Sequence, residues 1–91
     1  QLDAAIVPSV AEKKVNRESK VAGKANVLIW PDLNVGNTAV KLIQQFGHAD
    51  VYGPMLQGFN SIVCDCSRGA PVSEIKGNIV ISAARAAAVK K

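Results

Sequence analysis

The C-terminal third of the chain constrains the fold most, because it predicts one long helix with a defined start. Pro71 is suited to the first helical turn, where it gives up no intrahelical hydrogen bond and its φ is already set. Ile75, Ile79 and Ala83 then recur at helical spacing in an alanine-rich stretch that continues to about residue 89. We expect Gly77 either to weaken this helix slightly or to allow a close approach by another element. The positive charges of Lys90 and Lys91 are expected to interact favourably with the helix dipole at the C-terminal end.

A hydroxyl, a guanidinium and a carboxylate lie within a few residues of this helix start, in Ser67, Arg68 and Glu74. The first amides of a helix have no partners within it, and its dipole favours negative charge there. A phosphate-type anion therefore fits this position, with Arg68 clamping it through a two-pronged contact. An ordinary loop with a helix cap accounts for the same residues, so the local pattern leaves both interpretations open.

An apolar run at residues 25–30 is the clearest predicted strand, and Pro31-Asp32 ends it. Asn34 or Asn37 is suited to cap a helix that follows, and Gly47 is suited to stop it after residue 46. The residues that this helix is expected to bury are Val40, Leu42, Ile43 and Phe46. Strand, short loop and helix in succession predict an α/β layer.

The remaining segments are less regular. Residues 3–15 have a helical pattern, in which Pro8 predicts either a break or a helix start, because it disfavours helical geometry at Val7. Residues 49–56 predict a second strand that Gly53-Pro54 bends or interrupts, and Pro54 would make it an edge or bulged strand. A loop at residues 57–60 and a short extended segment at residues 61–66 then lead to Ser67.

The composition narrows the possible partners. A net charge of +4 suits an acidic partner, but 4% aromatic residues provide few stacking platforms for nucleic acid. Cys64 and Cys66 are too close for an ordinary disulfide, and with His48 as the single histidine they cannot complete a Cys/His zinc site. We expect both cysteines to be buried small residues. Unpaired thiols are typical of a reducing compartment, so we expect a cytoplasmic location. No apolar run of the sequence is long enough to span a membrane.

Several short motifs, in their order and spacing, resemble the C-terminal part of the phosphate acetyltransferases, also called phosphotransacetylases. The resemblance covers nearly the whole chain. The motifs that carry it are Leu2-Asp3-Ala4-Ala5, Val7-Pro8, Val21-Ala22-Gly23-Lys24-Ala25-Asn26-Val27-Leu28-Ile29, Pro31-Asp32-Leu33, Gly36-Asn37, Gly53-Pro54-Met55-Leu56-Gln57-Gly58 and Ser67-Arg68-Gly69.

The resemblance implies an enzyme that moves acetyl between coenzyme A and phosphate, with CoA as a substrate and no permanently bound cofactor. It implies an α/β fold, the C-terminal part of a two-domain architecture like that of the isocitrate and isopropylmalate dehydrogenases. Residues 1–49 would complete the second domain, and residues 50–91 would return to the first. Phosphate and acetyl phosphate would be the other ligands, with no nucleic acid or membrane partner.

The family's active-site serine and arginine correspond to Ser67 and Arg68, with Gly69 beside them at the substrate. Its catalytic aspartate corresponds to Glu74, which would accept the CoA thiol proton. The extra methylene of glutamate shifts the carboxylate by about an ångström, a displacement that can cost about a hundredfold in rate where geometry is tight. We assign Ser67 a stabilising role, because no partner base is visible for it. A first-turn acid that stabilises the helix dipole is the other interpretation of Glu74.

The chain begins at Gln1 and is much shorter than the family's enzymes, so we expect a fragment that is inactive alone. Its apolar faces lead us to expect a homodimer or other self-association. Three alternatives stay open. They are a phosphate butyryltransferase-type enzyme, a non-catalytic phosphotransacetylase-like domain of a malic enzyme that serves regulation or assembly, and a basic nucleic-acid-binding domain.

Overall fold

Four helices make up the regular structure of residues 1–89, which are the residues that the computed structural model describes. They are α1 (Leu2–Ile6), α2 (Pro8–Lys14), α3 (Leu33–Phe46) and α4 (Val72–Val89). The chain divides into two compact units, Gln1–Gly36 and Asn37–Lys91. The two C-terminal lysines, Lys90 and Lys91, lie outside the described residues, and so does their expected effect on the helix dipole.

A break at Val7 separates α1 from α2, as the sequence predicts. Val7 has an extended backbone (φ −112°, ψ 111°), because a residue that precedes proline is disfavoured in helical geometry. Pro8 occupies the first position of α2, and the carbonyl of Val7 accepts hydrogen bonds from the amides of Val10 and Ala11 at 3.1 and 3.0 Å. One proline therefore ends the first helix and starts the second.

The first unit has a core of two small residues. Ala4 and Ala11 are buried where α1 meets α2. The following loop returns to α1, because the amides of Gly23 and Ala25 donate to the carbonyls of Ala4 and Ala5 at 2.9 and 3.0 Å. Gly23 has a φ of +77°, and a side chain there would meet the backbone of α2.

Residues 25–30 do not form the expected strand with any of the residues that the structure describes. Its apolar side chains are uncovered, since Val27 is 73% and Ile29 is 89% exposed. An apolar run becomes a strand where a neighbouring backbone pairs with it. None of the described segments does so beyond the bond from Ala25 to Ala5. The α/β class and the two-domain architecture stay predictions.

Helix α3 begins one turn earlier than Asn37 would place it. The side chain of Asp32 accepts a hydrogen bond from the amide of Val35 at 2.9 Å, so Asp32 is the cap, and the expected cap at Asn34 or Asn37 is wrong. The helix ends before Gly47 as predicted, and the left-handed residue that follows is His48 (φ +51°). The side chains expected to be buried are exposed, from 37% for Val40 to 81% for Phe46.

The second expected strand, at residues 49–56, is reduced to one antiparallel bridge between Met55 and Cys64. Two hydrogen bonds flank it, from Leu56 to Val63 at 3.1 Å and from Asp65 to Pro54 at 3.0 Å. The Gly53–Pro54 peptide bond is cis, and proline has no amide with which to extend a ladder. Pro54 therefore contributes only its carbonyl to the pairing, as the acceptor for the amide of Asp65.

Helix α4 is the scaffold of the second unit. Asn78, which is 4% exposed, binds both backbone groups of Gly53: its Oδ1 accepts from the amide at 2.7 Å, and its Nδ2 donates to the carbonyl at 3.2 Å. Two turns further along, Arg85 donates to the carbonyl of Leu56 at 3.2 Å. A methyl group on Gly77 would overlap the ring of Tyr52, so the expected close approach at Gly77 is confirmed.

None of the helices within residues 1–89 is long and apolar enough to cross a membrane.

The Asp3 carboxylate yields a prediction in the first unit. A hydrogen bond from Lys14 at 2.7 Å, with a second from the Ala4 amide, holds the pKa of Asp3 below its ordinary range. A depressed folded-state pKa adds stability above the unfolded pKa, and that stability is lost as pH falls through the folded pKa. We expect Lys14→Met to raise the Asp3 pKa, measured by carboxyl NMR titration. The control is Lys13→Met, at the exposed neighbouring position. An equal rise of the Asp3 pKa in that variant would contradict the assignment of the effect to Lys14.

The Asn78 contact yields a second prediction. Asn78→Ala leaves the amide and the carbonyl of Gly53 unpaired, so we expect the free energy of unfolding to fall by about 2–4 kcal/mol. Lys76→Ala on an exposed position of the same helix is the control and should change it by less than about 0.5 kcal/mol. Urea denaturation measures both variants, and equal effects would show that the Gly53 contact contributes nothing.

Candidate active site

A four-residue turn leads into α4. The amide of Ala70 donates to the carbonyl of Ser67 at 3.0 Å, which places Arg68 and Gly69 at the two central positions. The Gly69 amide also donates to Ser67 Oγ at 3.3 Å. Arg68 is exposed and forms no ion pair with any residue of the described range, so its guanidinium is available to an outside ligand.

The helix starts one residue later than predicted. Val72 is the first helical residue, and the carbonyl of Pro71 accepts from the amides of Glu74 and Ile75 at 3.0 and 3.2 Å. Pro71 is thus the cap residue and not a member of the first turn, as its acceptor role requires. The amides of Val72 and Ser73 have no acceptor within the helix, and they are the groups that an anion at this end would meet.

A lysine that the sequence analysis missed lies beside Ser67. Lys41 Nζ, on α3, donates to Ser67 Oγ at 3.2 Å. A serine hydroxyl has two acceptor sites and one donor hydrogen. Because Lys41 and Gly69 use the acceptor sites, the O–H of Ser67 is free to donate to a ligand. Neither contact is with a base that could remove its proton.

Glu74 is the buried member of the predicted set. It lies in the first turn of α4 with 7% exposure, and its Oε2 accepts a hydrogen bond from Nε2 of Gln44 at 3.4 Å. A small pocket of about 60 Å³ borders both side chains. A first-turn carboxylate is also favourable with the helix dipole, so this position suits either interpretation of Glu74.

Ser67 and Glu74 are connected through α3 and not through each other. Lys41 and Gln44 are three residues apart, so they share one face of α3. Lys41 contacts Ser67, and Gln44 contacts Glu74. Within residues 1–89, no hydrogen bond or ion pair joins Ser67 or Arg68 directly to Glu74. The i, i+3 spacing of Lys41 and Gln44 is the signal that could have drawn attention to this face.

The two cysteines are placed differently from the prediction. Both are free thiols, but Cys64 is half-buried and Cys66 is exposed. Cys64 takes part in the bridge to Met55, whereas Cys66 lies two residues beyond it. They border an open groove of about 520 Å³ that α4 lines with Ile75, Ile79 and Ala83. The described residues hold no group of three or more side chains suited to a metal ion.

The comparisons with known proteins identify the family. The family model described as Phosphate acetyl/butaryl transferase matches residues 1–83. The chain belongs to this family of acyl-phosphate transferases.

The curated relatives carry a more particular name. The chain is 57% identical over 75 residues to the phosphate acetyltransferase of Borreliella burgdorferi, covering 82% of this chain and 21% of the relative. It is 52% identical over 90 residues to that of Acetivibrio thermocellus, covering 99% and 27%. It is 51% identical over 86 residues to that of Corynebacterium glutamicum, covering 94% and 26%. No solved structure matches the chain. The chain therefore spans about a quarter of the length of the curated relatives it matches.

Proposed function

We propose that this chain is one segment of a phosphate acetyltransferase, and that it supplies one side of the cleft in which acetyl passes between CoA and phosphate. The 52% identity over 90 residues to a protein named phosphate acetyltransferase carries the proposal. In the proposed two-domain enzyme, residues 1–49 complete the second domain and residues 50–91 return to the first.

The reaction can be written with the residues of the Ser67–Ala70 turn and of α4. In one direction, the CoA thiolate attacks the acetyl carbon of acetyl phosphate, and the bond from that carbon to the phosphate oxygen breaks. Thioester and inorganic phosphate leave as products. Arg68 holds the phosphoryl group throughout, because its exposed guanidinium has no competing ion pair within residues 1–89 and matches the geometry of phosphate.

Ser67 stabilises the carbonyl oxygen or a phosphate oxygen through its hydroxyl hydrogen. Its acceptor sites are filled by Lys41 and Gly69, which supports a donor role and argues against a nucleophile. The ammonium of Lys41 adds positive charge beside the same hydroxyl. Charge that develops on the substrate oxygen is favoured next to such donors.

Glu74 is the proposed base that accepts the thiol proton. Its burial excludes most bulk water from the carboxylate, and the Gln44 amide holds one of its oxygens. The second oxygen is left to receive the proton. CoA acts as a co-substrate in this scheme, and no permanently bound cofactor takes part.

Substitution of the three residues in the full-length enzyme tests these roles. We expect Ser67→Ala to lower kcat by about 10²–10³-fold, the usual cost of removing one donor to a developing oxyanion. Arg68→Met should raise KM for acetyl phosphate and lower kcat, and Glu74→Gln should lower kcat. Arg17→Met, an exposed arginine far along the chain from the turn, is the matched control. Activity of all three variants near that of the control would contradict the proposal.

The isolated 91-residue chain gives a separate prediction. We expect it to form no acetyl phosphate from acetyl-CoA and phosphate, because it spans about a quarter of the length of enzymes that carry this activity in their names. A coupled assay of the purified chain measures this. Turnover near that of a full-length enzyme would show that the segment is sufficient.

A phosphate butyryltransferase is the second candidate, because the matching family is described by both acyl groups. Comparison of kcat/KM for acetyl phosphate and butyryl phosphate on the full-length enzyme decides between them. We favour the acetyl substrate, since the similar curated proteins are named for it.

We also propose a homodimer or other self-association, and a cytoplasmic setting. Exposed apolar side chains support the first, among them Phe46 at 81% and Ile79 at 65% exposure. Free Cys64 and Cys66 support the second, because unpaired thiols persist in reducing compartments. Sedimentation measures the first, and a monodisperse monomer would contradict it.

A further inference from the structure

Among the described residues, the hydrogen-bond donor at the Glu74 carboxylate is a neutral amide, that of Gln44. The Glu74 side chain is 7% exposed, and Gln44 Nε2 donates to its Oε2 at 3.4 Å. Within residues 1–89, no lysine, arginine or histidine forms an ion pair with it. The carboxylate is thus fixed in direction by an amide and not by a cation.

The choice of an amide matters for a proton acceptor. A cation beside a carboxylate favours the ionised form and so weakens its attraction for a proton. A neutral amide orients the carboxylate through one hydrogen bond and leaves its second oxygen available. The separation of 3.4 Å is long for such a bond.

Helix α3 carries both Gln44 and Lys41. Gln44 lies three residues after Lys41, so the helix that brings a cation to Ser67 also brings the amide to Glu74. Gln45, the next residue, is exposed and lies on another face. Two adjacent glutamines of the same helix therefore differ in this one contact.

We propose that Gln44 is a positioning residue, which holds the Glu74 carboxylate in the direction that accepts the thiol proton. This inference rests on the proposed function, in which Glu74 is the base. In this role Gln44 acts through its hydrogen bond to Glu74 and is not itself a proton acceptor.

Gln44→Met in the full-length enzyme removes the donor and keeps an unbranched side chain with good helix propensity. We expect kcat to fall by about 10–100-fold, the range that follows from a misplaced catalytic group, with KM for acetyl phosphate changed by less than about twofold. Gln45→Met is the matched control and should leave both constants unchanged. Should Gln44→Met fail to fold, as judged by its thermal melt, Gln44→Asn replaces it, because its shorter amide cannot span a contact that is already 3.4 Å.

A double-mutant cycle with Glu74→Gln separates this inference from the proposed function. If Gln44 acts through Glu74, then Gln44→Met causes no further loss of kcat in the Glu74→Gln background. An equal loss in both backgrounds, or full kcat in Gln44→Met alone, overturns the role of Gln44 while Glu74→Gln still shows a loss. Full kcat in Glu74→Gln overturns the base itself.

Discussion

The contact between Asn78 and Gly53 is the interaction on which the second unit depends. One buried amide satisfies both the N–H and the carbonyl of a single glycine, and these are groups that would otherwise be buried without partners. The contact ties the segment between α3 and α4 to the middle of α4. That segment pairs with another strand segment at only one bridge. The side chain of Asn78 therefore satisfies backbone groups that strand pairing would satisfy in a sheet.

This arrangement gives the beginning of α4 two fixed neighbours. The Ser67–Ala70 turn precedes the helix, and α3 contacts both Ser67 and Glu74 through residues one turn apart. A cation and a neutral amide on one helical face therefore approach a hydroxyl and a carboxylate with different requirements. In the proposed roles, the positive charge beside the hydroxyl helps to stabilise an anion, and the amide orients the carboxylate.

The sequence predicted the features that local chemistry controls. Pro8 marked a helix start, Gly47 a helix end, and the pattern after Pro71 a helix that continues to residue 89. The cap of α3 was missed because Asp32, Asn34 and Asn37 are all suited to that position, and only the fold selects one. Features that depend on distant partners were predicted less well, and the strand expected at residues 25–30 did not form. Strand pairing at residues 25–30 needs another backbone, and the apolar residues of α3 identify a face without showing what covers it.

In the candidate site, too, the residues identified from the sequence are those that lie close together along the chain. Ser67, Arg68 and Glu74 were found from the helix start and from the family resemblance, since all three lie within eight residues. Lys41 contacts Ser67 from 26 residues away and Gln44 contacts Glu74 from 30 residues away, separations that local patterns do not report.

The crystallographic position of inorganic phosphate bound to the full-length enzyme tests the central claim most directly. The account predicts phosphate within hydrogen-bond distance of Ser67 Oγ and the Arg68 guanidinium, at the amides that begin α4. Phosphate bound elsewhere, with these groups in contact only with water, would contradict it.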